Sequence, residues 1–166
     1  GGADIHLTSI GYTVLHLAVN YYQAHLIEIL LEHGADIDAL DHRGQTALIS
    51  AVRNSDPAMT RCLISHGAAI NASDLSGWTA LHYALMIPSR IQGALLLIES
   101  GADVNAIASG DLYKGGLRPL HLVTSCEIAE KLIEHGADVK LAFRDDREKF
   151  DGVKPEARDF LLQALH

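Results

Sequence analysis

Gly34-Ala35-Asp36-Ile37 returns three times, as Gly67-Ala68-Ala69-Ile70, Gly101-Ala102-Asp103-Val104 and Gly136-Ala137-Asp138-Val139, with intervals of 33, 34 and 35 residues between the glycines. A second phrase keeps step: Gly11-Tyr12-Thr13-Val14-Leu15-His16, Gly44-Gln45-Thr46-Ala47-Leu48-Ile49 and Gly77-Trp78-Thr79-Ala80-Leu81-His82, its glycines 33 residues apart both times. Two phrases locked to one period define a tandem array of small units, none able to bury an apolar face alone. Such an array is one elongated domain in which each unit touches only its neighbours.

The unit from Asp41 to Ser73 shows what each unit builds. Gly44 sits in a turn after a polar tip of Asp41, His42 and Arg43, where a residue without Cβ tolerates unusual backbone angles. Thr46 is a helix N-cap, its hydroxyl placed to accept from a free amide of the first turn. Leu48, Ala51 and Val52 carry the spacing of a short buried helix. Asn54, Ser55 and Asp56 end it, and Pro57 suits the first turn of a second helix with Met59, Cys62, Leu63 and Ile64 on one face. His66 favours the negative end of that helix and Gly67 supplies the left-handed residue that closes it. The small residues Ala18, Ala51 and Ala84 share one position, where helix backbones approach closely.

These residues resemble the ankyrin repeat family, whose T-P-L-H-x-A signature stands here as Thr13-Val14-Leu15-His16-Leu17-Ala18, Thr79-Ala80-Leu81-His82-Tyr83-Ala84 and Arg118-Pro119-Leu120-His121-Leu122-Val123. The resemblance covers roughly residues 2 to 140. It implies an all-α solenoid of stacked helix-turn-helix units with protruding β-turn tips. The units are expected at 8–40, 41–73, 74–106 and 107–140, with 1–7 the end of a preceding repeat and 141–166 a degenerate C-terminal cap. Because Gly2-Ala3-Asp4-Ile5 already resembles the closing phrase of a unit, the chain reads as a piece of a longer protein.

Departures from the pattern are informative. Ile49 replaces the signature histidine and Arg118 the capping threonine. The fourth tip is extended around Ser109 to Gly116, and its helical pair is short by about one turn near Thr124-Ser125-Cys126. After Lys140 the pattern fades into the charged stretch from Asp145 to Lys149. A capping helix bearing Ala157, Phe160, Leu161 and Leu165 follows, with Arg147, Lys149 and Arg158 keeping its outer side wet.

The chain has 166 residues, 48% of them hydrophobic, enough for a continuous core. Its formal net charge of −8 opposes nucleic acid, where phosphate neutralisation supplies most affinity, and opposes an anionic membrane surface. Cys62 and Cys126 are too few for a disulfide framework, so a reducing, intracellular compartment (cytoplasm or nucleus) is expected. No apolar run reaches the length needed for a membrane span.

Ten histidines invite a metal reading. Equivalent residues of neighbouring units sit about 8–10 Å apart, the packing distance of helices. Metal ligands must converge within about 2 Å of one ion. We therefore expect no metal and no cofactor, with His16, His82 and His121 bonding within and between units, as the resemblance implies. Cys62 and Cys126 fall on separate helices with no histidine at a meaningful spacing. The run from Gly110 to Gly116 lacks the Lys-Ser or Lys-Thr of a phosphate loop. No catalytic group is expected.

The resemblance implies a partner face made of tips and inner helices. Tyr12, Tyr21, His42, Arg43, Gln45, Arg53, Leu75, Trp78, Leu112 and Tyr113 are the residues expected to bind, with Trp78 as an exposed anchor, because aromatic and Arg residues dominate interaction hot spots. The ligand would be a protein segment with apolar anchors and acidic residues for the arginines. The competing use of Trp78 is packing on its neighbour's tip. Asn105 follows Leu97 by eight residues and Val104 by one, a spacing that resembles sites modified by the asparaginyl hydroxylase acting on ankyrin domains. A structural asparagine bonding its own turn is the alternative.

The functional reading is a non-catalytic scaffold or adaptor, monomeric by itself, binding another polypeptide and neither nucleic acid nor membrane. Two alternatives come from other classes. One is a methyl-lysine reader using Tyr12 and Trp78 through cation–π attraction. The other is a regulatory or substrate-recruiting segment of a larger enzyme or ubiquitin ligase.

Overall fold

The computed structural model describes residues 11–108, 116–145 and 153–165, apart from the side chains of 144 and 145. Gly2 to Ile5, the long tip with Leu112 and Tyr113, and Arg147 and Lys149 lie outside the described residues. Helices come in antiparallel pairs: α1 (Val14–Asn20) with α2 (Ala24–Glu32), α3 (Ala47–Arg53) with α4 (Pro57–Ser65), and α5 (Ala80–Leu85) with α6 (Ile91–Glu99). A 3₁₀ turn at Pro88–Arg90 precedes α6. In the next unit the first helix is reduced to a 3₁₀ turn, Pro119–Leu122, followed by α7 (Cys126–Glu134). The last two helices are α8 (Val139–Asp145) and α9 (Pro155–Gln163).

The pairs stack into two layers. One runs α1, α3, α5, the Pro119 turn and α8; the other runs α2, α4, α6, α7 and α9. Among the described residues there is no strand. Isolated antiparallel bridges, Ser73 with Thr79 and Ala108 with Leu117, brace the tips. The structure is therefore an all-helical repeat stack. No described helix is long and apolar enough to cross a membrane.

Local chemistry sets each boundary. The Thr46 hydroxyl accepts from Ile49 N at 3.3 Å and the Asp56 carboxylate from Met59 N at 3.0 Å, each satisfying a first-turn amide the helix cannot. Pro57 opens α4, where its missing N–H costs nothing. At the other end Gly67 has φ +86, its amide reaching Ile64 O at 3.0 Å and that of Ala68 reaching Leu63 O at 3.1 Å. That pair of bonds closes the final turn and requires the left-handed residue. The rings of His33, His66 and His135 add to this end, each Nδ1 donating to the carbonyl four residues earlier at 2.7, 2.8 and 2.8 Å.

Core residues join the layers. Leu15, Leu48, Leu81 and Leu120 are buried in the first layer, with Ile27, Met59 and Leu63 in the second. Ala18, Ala51 and Ala84 are buried where first-layer helices touch.

Polar rungs run beside this core. His16 Nε2 bonds Gln45 O at 2.9 Å, His82 Nε2 bonds Leu117 O at 3.0 Å, and His121 Nε2 bonds Ala142 O at 3.1 Å. Ile49, in the same position, has no nitrogen to donate, so the series skips that junction. A second series joins the loops after the outer helices. Asp38 accepts from Ala69 N at 2.8 Å, Asn71 from Asp103 N at 2.7 Å, and Asn105 from Asp138 N at 2.9 Å.

Helix α8 begins where the repeat pattern fades. Asp138 caps it by accepting from Leu141 N at 2.8 Å, and Val139 and Ala142 are buried. The C-terminal stretch therefore carries two helices, α8 and α9, where the sequence suggests only the second.

Candidate functional site

A polar cleft of roughly 220 Å³ opens between the tips and the first-layer helices. The tips contribute Tyr12, Asp41, Arg43 and Gln45 to its walls. Helices α1 and α3 contribute Asn20, Ser50 and Arg53, Asn54 follows from the end of α3, and Arg90 enters from the 3₁₀ turn of the next unit.

Each wall is held by a specific contact. Asp41 folds its own tip, its Oδ1 accepting from Arg43 N at 2.8 Å and Gln45 N at 2.9 Å. Gln45 donates through Nε2 to Asp74 Oδ2 at 3.2 Å and to the Tyr83 hydroxyl at 3.0 Å. Arg53 Nη1 donates back to Gln45 Oε1 at 2.5 Å, and its guanidinium lies 5.3 Å from the Tyr83 ring centroid. The Tyr83 hydroxyl donates to Asp74 Oδ2 at 2.6 Å. Burial first, then the Asp74 carboxylate, push the Tyr83 pKa up to about 12, so the phenol stays protonated as a donor.

Arg90 ties this network to the next unit. Its Nη1 donates to Tyr83 O at 3.1 Å and its Nη2 to Arg53 O at 2.6 Å. Its Nε is buried with no partner among the described residues. Burial, and then the charge of Arg53, hold the Arg90 pKa below the usual guanidinium value.

Tyr12, Arg43, Gln45 and Arg53 thus meet in one cleft, as members of the expected partner set. His42 stays on the tip, its ring edge-on to Tyr12 with centroids 5.1 Å apart. Tyr21, 70% exposed, and Leu75, 82% exposed, are at the surface but do not line the cleft. Leu75 lies across the tip glycine Gly44, where any added Cβ would meet Leu75 Cγ at 2.6 Å.

Trp78 corrects the expectation of an exposed anchor. It is 8% exposed and packs in a cluster with Ala108 and Leu117, its ring 5.2 Å from that of Tyr83. The reason is positional. Gln45, Trp78 and Leu117 each follow a tip glycine, and Gln45 and Leu117 are only 4% and 3% exposed. That slot is a packing position between units, so an indole there fills the junction. Gln45 is likewise a buried organiser of the cleft wall. Tyr12 and Trp78 do not form one cage: Tyr12 neighbours His16 and His42, while Trp78 is enclosed two units along the stack.

Asn105 is engaged at both ends of its amide. Its Nδ2 donates to Gly136 O at 2.8 Å, while Oδ1 accepts from Asp138 N. Its own N–H donates to Asp103 Oδ1 at 2.9 Å. The side chain clamps two successive loops.

Arg90, Tyr83 and Asp74 belong to the hydrogen-bond network around the cleft, and motif reading misses them. Arg90 had one signal: the 34-residue interval between Gly67 and Gly101 carries an extra residue. The structure places the added length in residues 86–90, between α5 and α6.

Among the described residues no group of His, Cys, Asp and Glu is arranged to hold a metal. The buried imidazoles are fully used. Thr79 N donates to His82 Nδ1 at 3.3 Å and Arg118 N to His121 Nδ1 at 2.9 Å. Each Nδ1 therefore accepts, and each Nε2–H donates to the next unit.

Comparison with known proteins agrees with this architecture. A family model described as ankyrin repeats in three copies matches residues 15–108. The B-cell lymphoma 3 protein homolog of Mus musculus is 41% identical over 141 residues, covering 82% of this chain and 31% of that protein. Neurogenic locus notch homolog protein 1 of Mus musculus is 33% identical over 140 residues, covering 82% of this chain and 5% of that protein. The crystal structure of the ankyrin repeat domain of Bcl-3, described as a unique member of the IkappaB protein family, superposes with a TM-score of 0.72 at 35% identity. That match covers 80% of this chain and 57% of the other. The chain thus spans about a third of the first of these relatives and a small part of the second. On the phased motifs, the two-layered stack and the match over residues 15–108, the chain belongs to the ankyrin repeat family.

Proposed function

We propose that this chain is a non-catalytic interaction module, a scaffold or adaptor inside the cell, that holds a partner polypeptide against its tips and first-layer helices. The observation that carries this reading is the cleft itself. Side chains from three consecutive units, Tyr12, Arg43, Arg53 and Arg90 among them, converge on open space. Arg43 in particular is exposed and adds nothing to the apolar core. Ankyrin stacks have binding as their common use, and the relatives are longer proteins in which such a stack is one part. The module is accordingly read as working within a longer polypeptide.

A photo-crosslinking amino acid placed at Arg43 tests this against one placed at Glu28, whose side chain is 70% exposed on the opposite layer. Partner capture through position 43 and not through position 28 supports the reading. Capture through position 28 alone contradicts it.

A further inference from the structure

We infer that the cleft receives carboxylate side chains of an acidic polypeptide segment, held by the guanidinium groups of Arg43, Arg53 and Arg90; this rests on the reading of the tip-and-helix face as the partner surface. The chain as a whole is acidic, with a formal net charge of −8, yet three arginines gather on one cleft. Among the described residues no carboxylate lies within ion-pair distance of any of them. Arg53 is held by the Gln45 amide oxygen and the Tyr83 ring. Arg90 is held by two backbone carbonyls, with Nε left over. Arg43 is exposed on the tip.

The two acids nearby are committed elsewhere. Asp41 Oδ1 takes two amides of its own tip. Asp74 takes Ser76 N and Trp78 N on Oδ1, and Gln45 and Tyr83 on Oδ2. Neutral dipoles therefore position the Arg53 and Arg90 guanidiniums, and no described carboxylate pairs with any of the three. Burial, and then the proximity of Arg53 and its repulsion, already disfavour the charge on Arg90.

A ligand carboxylate would remove that repulsion and form charge-assisted, two-pronged bonds, about twice as strong as neutral ones. The Arg53 and Arg90 side chains are already held in place, so they have little rotamer freedom left to lose on binding. Apart from the Asp41 carboxylate, whose Oδ1 is taken by two amides of its own tip, the walls are amide, hydroxyl and guanidinium groups, and with Trp78 buried they offer no apolar anchor pocket. The expected ligand is therefore acidic and polar, which keeps the acidic residues of the sequence reading and drops its apolar anchors. A nucleic acid would present many phosphates to the whole acidic surface, which repels them.

The test is titration of the isotope-labelled chain with a short polyglutamate peptide, a matched polyglutamine peptide and inorganic phosphate, following the arginine Nε–Hε resonances. The inference expects polyglutamate to move the Arg53 and Arg90 signals, polyglutamine to leave them in place, and added salt to weaken the effect. Binding should fall at least about tenfold in Arg43→Gln/Arg53→Gln. Arg43→Gln alone, which removes no bond within the stack, should fall in the same direction. Unmoved arginine signals, full binding by the folded variants, or equal shifts with inorganic phosphate at matched charge would each overturn it. A displayed-peptide selection separates the two readings. Non-acidic binders that crosslink at position 43 sink this inference alone, and binders confined to position 28 sink the partner-face reading as well.

Discussion

His82 Nε2 sits 3.0 Å from the carbonyl oxygen of Leu117, a bond between residues 35 apart in sequence that crosses from one unit to the next. The ring must be neutral and protonated on Nε2, because Thr79 N donates to its Nδ1. Burial lowers the pKa of His82, and of His16 in the equivalent place, below the ordinary imidazole value of about 6.5. In that situation the unfolded chain binds protons that the folded chain refuses. Stability is complete above the unfolded pKa and declines as pH falls from there toward the folded value. Urea midpoints should therefore drop between about pH 7.5 and about pH 5.5, a window in which carboxylates titrate little. The slope should shrink in His82→Gln.

Trp78 fills the junction beneath the next tip. Trp78→Ala should cost about 3–5 kcal/mol of unfolding free energy, the range for truncating a buried aromatic. Urea denaturation measures it. A loss under about 1 kcal/mol would return the indole to the surface.

Leu48 and Leu81 occupy one register position in successive first-layer helices and are each 1% exposed. Leu48→Ala and Leu81→Ala should each lose about 2–5 kcal/mol. In a nearest-neighbour stack their effects on thermal unfolding are transmitted through the shared α3–α5 contact. The double variant should depart from additivity, which a double-mutant cycle reads directly.

Asn105→Ala removes two bonds between loops and leaves Gly136 O and Asp138 N without that partner. A loss of about 1–3 kcal/mol is expected from unfolding curves. Clamping and hydroxylation make competing demands on the same side chain. We therefore expect mass spectrometry to find Asn105 hydroxylated, if at all, in unfolded chain; ready modification of the folded chain would contradict the clamp.

The stack itself is legible in sequence because its restraints are local and periodic. Thr46, Pro57, His66 and Gly67 each announce a helix end by their own chemistry. The cleft is less legible, since it depends on which face a tip residue takes after stacking. Trp78 follows a glycine at a turn, which in isolation is a surface position; only the arrival of Ala108 and Leu117 encloses it. Arg90 is harder still, because it reaches Arg53 O and Tyr83 O from an irregular linker with no motif. Helix α8 was readable in principle, since Asp138 is a capping residue placed before Val139 and Ala142.

The central claim is that the tips and first-layer helices are the partner surface. Hydrogen–deuterium exchange of the chain alone and saturated with the tightest peptide from the displayed selection tests it most directly. The account predicts slowed exchange across residues 41–46 and 50–54 and at Arg90, with α2 and α4 unchanged. Protection confined to α2 and α4 would contradict it.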